Sequence, residues 1–413
     1  MKLYDIYLKH PNISTDTRTV EKDSLFFALK GEAFDGNEFA QQAIDKGAAF
    51  AIIDNPSKKT SDRLILVDNV LTSLQELAKH HRHQLKTKII CVAGSNGKTT
   101  TKELTYRVLN SKFKTFGTIG NLNNHIGVPI CLLKLDNSYD FAVIEIGANH
   151  IGENLLLCEI ALPDFGIVTN CGKDHLEGFG SIEGVIKSNK ELYDYLKENK
   201  GISFVNQDDK TLMDISEGLE RVFYGSNTGK IVEPFPYIKF KTETCTIETH
   251  LLGSFQQFNI SCAYTIGKYF GVSDSLIQEA IKTYIPKNNR SQIVEWNGNK
   301  VLLDAYNANP SSMSAMIEDF SNYPIKNKIA VIGDMFELGE YSYREHEQII
   351  EQLKTAQINK VILVGNEFKK HNSPFIHFEK TSDVKEWLLT QSLRNCFFLV
   401  KGSRGIALEK AFI

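Results

Sequence analysis

Nowhere in the 413 residues does an apolar run approach the roughly 18 needed to cross a bilayer, and the opening residues, Met1-Lys2-Leu3-Tyr4-Asp5, carry no apolar signal core. A cytoplasmic protein without membrane insertion is expected. Cysteine is sparse and unpatterned. The seven thiols (Cys91, Cys131, Cys158, Cys171, Cys245, Cys262 and Cys396) show no Cys-x-x-Cys spacing and several lie in apolar runs, which argues against a zinc or disulfide framework and for buried, reduced thiols. An excess of charge of one sign is also missing: 47 Lys and Arg against 50 Asp and Glu leave a net charge of -3, so no dedicated nucleic-acid binder is expected. No internal repeat, low-complexity segment, coiled-coil heptad or long apolar patch is visible, and a monomer is expected. The length exceeds what one ordinary core accommodates and predicts two or three domains.

Against these absences one stretch stands out. Ile89-Ile90-Cys91-Val92-Ala93 reads as a buried strand, Gly94-Ser95-Asn96-Gly97 as a turn, and Lys98-Thr99-Thr100-Thr101-Lys102 as the start of a helix. A chain builds a phosphate cradle in this way. Backbone N–H groups of the turn point inward, the Lys98 ammonium meets terminal phosphates, and the Thr99 hydroxyl can ligate Mg²⁺. The commonest form of the loop wants its first glycine where Val92 stands; here the glycine is Gly94. A bare Gly-Lys-Thr also occurs in structural turns, but the strand before it and the helical pattern after it favour a nucleotide site.

Residues 1–85 read as a small α/β unit, with strands at 25–29 and 49–53 and helices at 38–46 and 71–83. Two polar clusters interrupt it, Ser14-Thr15-Asp16-Thr17-Arg18 and Lys30-Gly31-Glu32-Ala33-Phe34-Asp35-Gly36-Asn37; turn chemistry and ligand contact explain them equally well. Residues 86–291 form a second unit around the cradle. Its strand 141–147 carries one carboxylate, Glu145, which is costly in an apolar run unless a cation meets it. The strand 165–170 leads into a loop bearing His175, at the end of the sheet where ligands bind in such folds. A helix over 182–196, with Ser181 as N-cap, bears Lys187 and Lys190 on what reads as a solvated basic face with a Glu183–Lys187 pair. Short strands follow at 202–205, 222–224, 237–240 and 246–250, then helices at 256–269 and 275–284, and a break at 285–290. From 292 to 413 a βαβ rhythm restarts, with strands at 301–304, 329–332, 361–364 and 397–400. Asn309 is the expected N-cap and Pro310 the first residue of a helix, and the whole predicts a second open parallel sheet. Lys401-Gly402-Ser403-Arg404 again follows a strand end and suits an anionic or zwitterionic ligand.

Two sheets, one with a nucleotide loop and one with a polar ligand site, describe a two-substrate ATP enzyme better than a switch GTPase, whose Asn-Lys-x-Asp and Asp-x-x-Gly motifs are absent. Phosphoryl transfer to some other acceptor stays open on these grounds. Over essentially its whole length the chain resembles the Mur ligase family, the ATP-dependent amide-bond ligases of peptidoglycan precursor synthesis. The residues that carry the likeness are Gly94-Ser95-Asn96-Gly97-Lys98-Thr99-Thr100, Glu145 in Glu-Ile-Gly-Ala, and Thr169-Asn170 leading to His175. Asn121-Leu122-Asn123-Asn124-His125-Ile126-Gly127-Val128-Pro129, Asp304-Ala305-Tyr306-Asn307-Ala308-Asn309-Pro310-Ser311-Ser312-Met313 and Lys401-Gly402-Ser403-Arg404 point within it to the member whose substrates are UDP-N-acetylmuramoyl-tripeptide and D-alanyl-D-alanine. The Asp-Asn-Pro-Arg signature of the diaminopimelate-adding relative is absent.

The resemblance implies three α/β domains: 1–85 for the uridine nucleotide, 86–291 for ATP, and 292–413, Rossmann-like, for the incoming dipeptide. It implies that Ser14, Thr15, Asp16, Arg18, Lys30, Gly31 and Asp35 serve the uridine nucleotide of the substrate, and that Asn123 and Asn124 also bind substrate. Gly94 to Thr100 would hold ATP, Thr99 and Glu145 a first Mg²⁺, and His175 a second. Lys190 would carry a CO₂-derived carbamate, which turns its charge into an oxygen donor for that second ion. Arg290 would face phosphate, Asp304, Asn307, Asn309 and Pro310 the nucleotide, and Lys401, Ser403 and Arg404 the dipeptide. On the adenine side the chain departs from the common His-Asn pair: Phe255 and Gln256 stand there, followed by Asn259. Another Mur-type or folylpolyglutamate-type ligase would share the loop but not the Tyr306 to Pro310 run. A silent nucleotide-binding scaffold has no physical need for Lys98, Thr99, Glu145, His175 and Lys190 together.

Overall fold

Three sheets of mainly parallel strands follow one another along the chain, each built from short apolar runs alternating with amphipathic helices. The computed structural model describes residues 3–287 and 289–412. Met1, Lys2 and Ile413 lie outside them, as does Asn288 in the break expected at 285–290.

The first unit holds β1 (Ile13–Ser14) and β2 (Leu25–Phe27), a hairpin of β3 (Lys30–Gly31) and β4 (Phe34–Asp35), then β5 (Phe50–Ile53) and β6 (Leu64–Leu66). The order β1-β2-β5-β6 is all parallel. The helix Val70–His83, capped by Asn69 accepting from the Thr72 N–H at 2.9 Å, packs on both this sheet and the helices Gly127–Leu132 and Glu153–Ala161 of the next unit. Its buried Leu74 and Leu77 therefore belong to a core that runs on through Ile89, Cys91 and Ile144. Arg82 seals the seam, donating to the Ala161 carbonyl at 3.0 Å and pairing with Asp164 at 3.1 Å.

In the middle unit β7 (Lys88–Ala93), β8 (Thr115–Gly117), β9 (Phe141–Glu145), β10 (Phe165–Val168), β11 (Ile202–Asn206) and β12 (Glu220–Tyr224) form a parallel sheet of order β12-β11-β10-β7-β9-β8. The chain leaves β7 toward one edge and β10 toward the other, so the loops after these neighbours meet at the switch point where such sheets bind ligands. An antiparallel ribbon follows: β13 (Lys230–Glu233), β14 (Lys239–Lys241) and β15 (Thr246–Glu248). The helices Lys98–Asn110 and Gln256–Tyr269 pack together against the sheet.

The last unit holds β16 (Gln292–Trp296), β17 (Asn299–Asp304), β18 (Lys328–Gly333), β19 (Lys360–Val364), β20 (Ile376–Phe378) and β21 (Phe397–Lys401), in the order β16-β17-β21-β18-β19-β20. The sheet is parallel except at one edge, where β16 pairs antiparallel with β17. The four strands expected here lie in β17, β18, β19 and β21 and are parallel; β16 is an edge strand that the sequence reading did not assign, and the cause of its direction is local. Asn297 and Gly298 both take positive φ (48° and 74°) between the paired Trp296 and Asn299, a two-residue hairpin turn that reverses the strand.

Candidate active site

The site grows from the turn after β7. Gly94 (φ 121°) and Gly97 (φ 82°) take backbone conformations that residues with a Cβ rarely adopt, and the helix Lys98–Asn110 starts directly behind Gly97. The loop is braced by the segment after β10. Ser95 Oγ both donates to the Gly172 carbonyl (3.1 Å) and accepts from the Gly172 N–H (3.0 Å), while the Asn96 carbonyl accepts from Thr169 Oγ1 (2.6 Å) and Asn170 Nδ2 (2.9 Å). Lys98 Nζ folds back over the turn, donating to the carbonyls of Gly94 (2.6 Å) and Ser95 (3.1 Å).

Glu145 ends β9, paired in register with Val92, and is 2 % exposed. Its Oε1 accepts from Asn123 Nδ2 at 2.8 Å, and its Oε2, equally buried, has no hydrogen-bond partner. An unpaired buried carboxylate oxygen is costly, and a cation is the partner that relieves it. His175 takes a left-handed backbone (φ 47°) after β10; its Nδ1 stands 2.5 Å from Glu337 Oε2, in the loop after β18. Burial pulls the His175 pKa down, but the hydrogen bond to Glu337 and the charges of Asp174 and Glu337 outweigh it, and the net shift is upward.

A cleft of about 660 Å³ opens between this loop and the C-terminal sheet. From the middle unit it is lined by the stretch Ser95 to Thr100, Asn123, Asn124, Glu145, His175, Gln256 and Asn259. From the last unit come Asp304, Asn307, Asn309 and Lys401, with Arg290 between the two. Adjacent strands β17 and β21 deliver Asp304 and Lys401 in register, and their side chains pair at 2.6 Å. Arg290 lays its guanidinium over the Tyr306 ring, 3.7 Å from the centroid, and Arg404 approaches the same ring at 5.3 Å. Asn309 caps the helix Pro310–Asn322 and reaches across to the phosphate loop, donating from Nδ2 to Asn96 Oδ1 at 2.9 Å. Gln256 and Asn259, at the departure from the common His-Asn pair, bond each other (2.7 Å), with Asn259 also accepting from Thr101.

Several expected residues lie elsewhere. Gly94 lies under the loop, and Pro310 begins its helix behind Asn309. Ser403 is buried, accepting from the Phe336 N–H at 2.9 Å. Lys190 does not line the cleft; it forms an ion pair with Asp194 one turn along its helix, and Glu183, expected to pair with Lys187, turns back to its own N–H and to Ser181. In the first unit Asp16 accepts from the Arg18 backbone and guanidinium, which hold its carboxyl down to about 2, and Ser14 Oγ donates to the Asp16 carbonyl. Thr15 is half-buried beside them. Lys30 pairs with Asp54 at 2.9 Å, while Gly31 sits in the exposed β3–β4 hairpin and Asp35 caps the turn that follows it. Both polar clusters thus make turn contacts, and they stand apart from the cleft. Residues that sequence reading passed over also line it: Asn149, Asp174, Pro286, Tyr306 and Ser311. Asp174, Tyr306 and Ser311 lay inside stretches already singled out; Asn149 follows a strand's carboxyl end.

Three family models match along the chain: the catalytic domain of the Mur ligase family over residues 10–82, the Mur ligase middle domain over 92–267 and the Mur ligase glutamate ligase domain over 289–394. The chain is 31% identical to the UDP-N-acetylmuramoyl-tripeptide--D-alanyl-D-alanine ligase of Bacillus subtilis, with 96% of this chain and 91% of that protein covered. To the Escherichia coli protein of the same name it is 34% identical, with 96% and 92% covered. The chain belongs to the Mur ligase family. Among solved Mur ligases, MurF of Thermotoga maritima in complex with ADP superposes with a TM-score of 0.87 at 27% identity, covering 100% of this chain and 97% of that one. MurF of Acinetobacter baumannii does so with 0.87 at 28%, covering 97% and 92%. The Mur ligase architecture of three successive domains is therefore the frame in which the cleft, lined by the middle and C-terminal domains, is read.

Proposed function

We propose that this Mur ligase joins D-alanyl-D-alanine to UDP-N-acetylmuramoyl-tripeptide, with ATP converted to ADP and phosphate, in cytoplasmic synthesis of the peptidoglycan precursor. Relatives named for that activity match it over nearly the full length. The observation that carries the reading is the unpaired Glu145 Oε2 in a cleft shared by the phosphate loop and the Asp304–Lys401 strand ends. Both halves of the site come from one chain, so a monomer suffices.

The donor set fits Mg²⁺. The Thr99 hydroxyl and Glu145 Oε2 would hold one ion and His175 a second. Among the described residues no three His, Cys, Asp or Glu side chains converge on one point, which suits an ion that keeps water and substrate phosphate in its shell. When bound, Mg²⁺ neutralises charge on the β- and γ-phosphates. The protein supplies the rest. N–H groups of the loop 94–100 cradle the phosphates, and Lys98 leaves the Gly94 and Ser95 carbonyls to meet the charge that develops on the γ-phosphoryl group. The tripeptide carboxylate attacks that phosphorus to form an acyl phosphate with ADP leaving. The free amine of D-alanyl-D-alanine then attacks the carbonyl, phosphate departs and the amide remains. Arg290 faces phosphate. Asp304, Asn307 and Asn309 close over the nucleotide with Gln256 and Asn259 on the adenine side, and Lys401, Ser403 and Arg404 orient the dipeptide. Ser14, Thr15, Asp16, Arg18, Lys30, Gly31 and Asp35 read the uridine nucleotide, with hinges near residues 86 and 291 bringing the three units together.

Lys190 carries a CO₂-derived carbamate in this proposal, which requires its bond to Asp194 to open. Lys190→Ala should abolish turnover, and added acetate, a small carboxylate, should restore part of it; full activity in the variant would return Lys190 to a helix-surface ion pair. The reaction itself is tested by phosphate release. Release should depend on ATP, UDP-N-acetylmuramoyl-tripeptide and D-alanyl-D-alanine together, and a rate no higher than with ATP alone would overturn the assignment.

A further inference from the structure

Glu337 reaches His175 from across the domain boundary. It belongs to the loop after β18, yet its carboxylate meets His175 Nδ1 at 2.5 Å, and its own carbonyl accepts the Glu177 N–H at 3.0 Å. Four residues on, Tyr341 donates its hydroxyl to the Gly180 carbonyl at 3.1 Å, so the loop 337–341 grips the segment 175–180 at both ends. Two of the residues in this contact are strained. His175 (φ 47°) and Glu337 (φ 62°) both hold a left-handed backbone, which is costly for a residue with a Cβ and survives only where the surroundings enforce it. Two costly conformations on opposite sides of a boundary, with their side chains joined, mark a contact that packing alone does not require.

The chemistry of that contact is directional. A carboxylate can only accept, so in the neutral imidazole, the form that binds a metal, the proton is held on Nδ1 and the lone pair is left on Nε2. Nε2 stands 3.7 Å from Asp174 Oδ2, too far for a hydrogen bond, and His175 lines the cleft. Carboxylates that grip the far nitrogen of a metal-binding imidazole fix both its tautomer and its direction.

We propose that Glu337 is a positioning residue that aims His175 Nε2 at a divalent cation in the cleft, and that, because Glu337 rides on the C-terminal unit, this ligand is aimed only when that unit is docked. The inference rests on the reading of His175 as a metal ligand. It adds that the ligand is assembled by docking: with the C-terminal unit swung away the imidazole loses its acceptor and is free to rotate.

Mn²⁺ serves as the probe, titrated into the full chain by electron paramagnetic resonance with a non-hydrolysable ATP analogue and UDP-N-acetylmuramoyl-tripeptide present. E337A should weaken the weaker Mn²⁺ equivalent by about 10–100-fold, whereas E337Q, whose amide oxygen still accepts from Nδ1, should stay within about threefold of the parent. Small-angle scattering with the same ligands should show both variants as compact as the parent. Wild-type Mn²⁺ binding in E337A, with the site lost in H175A, overturns the inference and leaves His175 a ligand. Wild-type binding in H175A removes both. An E337A protein that stays extended at saturating ligand makes Glu337 a clasp between units and likewise overturns the positioning role.

Discussion

Replacing Lys98 by alanine should lower kcat by about 10³-fold, the scale of losing a preorganised charge aimed at a transition state. The ammonium rests on the Gly94 and Ser95 carbonyls and lies beside Thr99 in the cleft, so in the proposed reaction a side-chain swing would bring it to the γ-phosphoryl group. The alanine variant should fold: Lys98 is half-buried and opens its helix, where alanine is well tolerated. Steady-state phosphate release would supply kcat, and calorimetry would supply affinity for the UDP-substrate, which should change little because its uridine nucleotide is proposed to bind the first unit. A kcat within tenfold of the parent would place the developing charge out of reach of Lys98.

Gly94→Ala should be nearly as damaging by a different route. A Cβ on Gly94 would lie 2.1 Å from Thr169 Oγ1 and 2.7 Å from the Thr169 backbone nitrogen, at a φ of 121° that alanine resists. Rotating the threonine does not help, because the nitrogen is main chain and Thr169 Oγ1 already holds the Asn96 carbonyl. Either the loop lifts from β10 or the end of β10 bends. A loss of about 2 kcal/mol in stability is expected, together with a fall in kcat of about 10²-fold from a phosphate cradle displaced by an ångström or so. Gly298→Ala is the control. It too has positive φ, but nothing stands within 4 Å of its Cβ position, and it turns the remote β16–β17 hairpin. There the stability cost should be about 1 kcal/mol, with turnover intact. Thermal melts beside phosphate release separate the two; equal activity loss in both variants would refute the steric argument.

The phosphate loop and the Asn309-Pro310 helix start were legible because both rest on local rules: a change of apolar period at glycine, and a cap followed by proline. The helices 256–269 and 182–196 were legible for the same reason, the second running two residues further, to Glu198. The ribbon strand β13 was missed because its side chains are only half-buried or exposed, leaving no apolar alternation to read. The antiparallel edge β16 was not assigned as a strand, although Asn297-Gly298 marks the turn that follows it. Glu337 could not be found at all from sequence. Its loop follows a strand end like several others, and its partner is 162 residues away, joined only by the docking of two units. Glu145 was found for the opposite reason: a carboxylate inside five buried residues contradicts its own surroundings.

The Asn96–Asn309 hydrogen bond has an electrostatic corollary. It holds the N-terminus of the helix Lys98–Asn110 and that of the helix Pro310–Asn322 on facing walls of one cleft, and each such end carries about half a positive elementary charge. A triphosphate between them would be attracted from both sides, and in the closure proposed above the anion's own field would draw the walls together. Screening over about 8 Å at physiological ionic strength sets the reach of that pull. Raising the salt concentration should therefore loosen the nucleotide-bound enzyme as a whole, and not its grip on ATP alone.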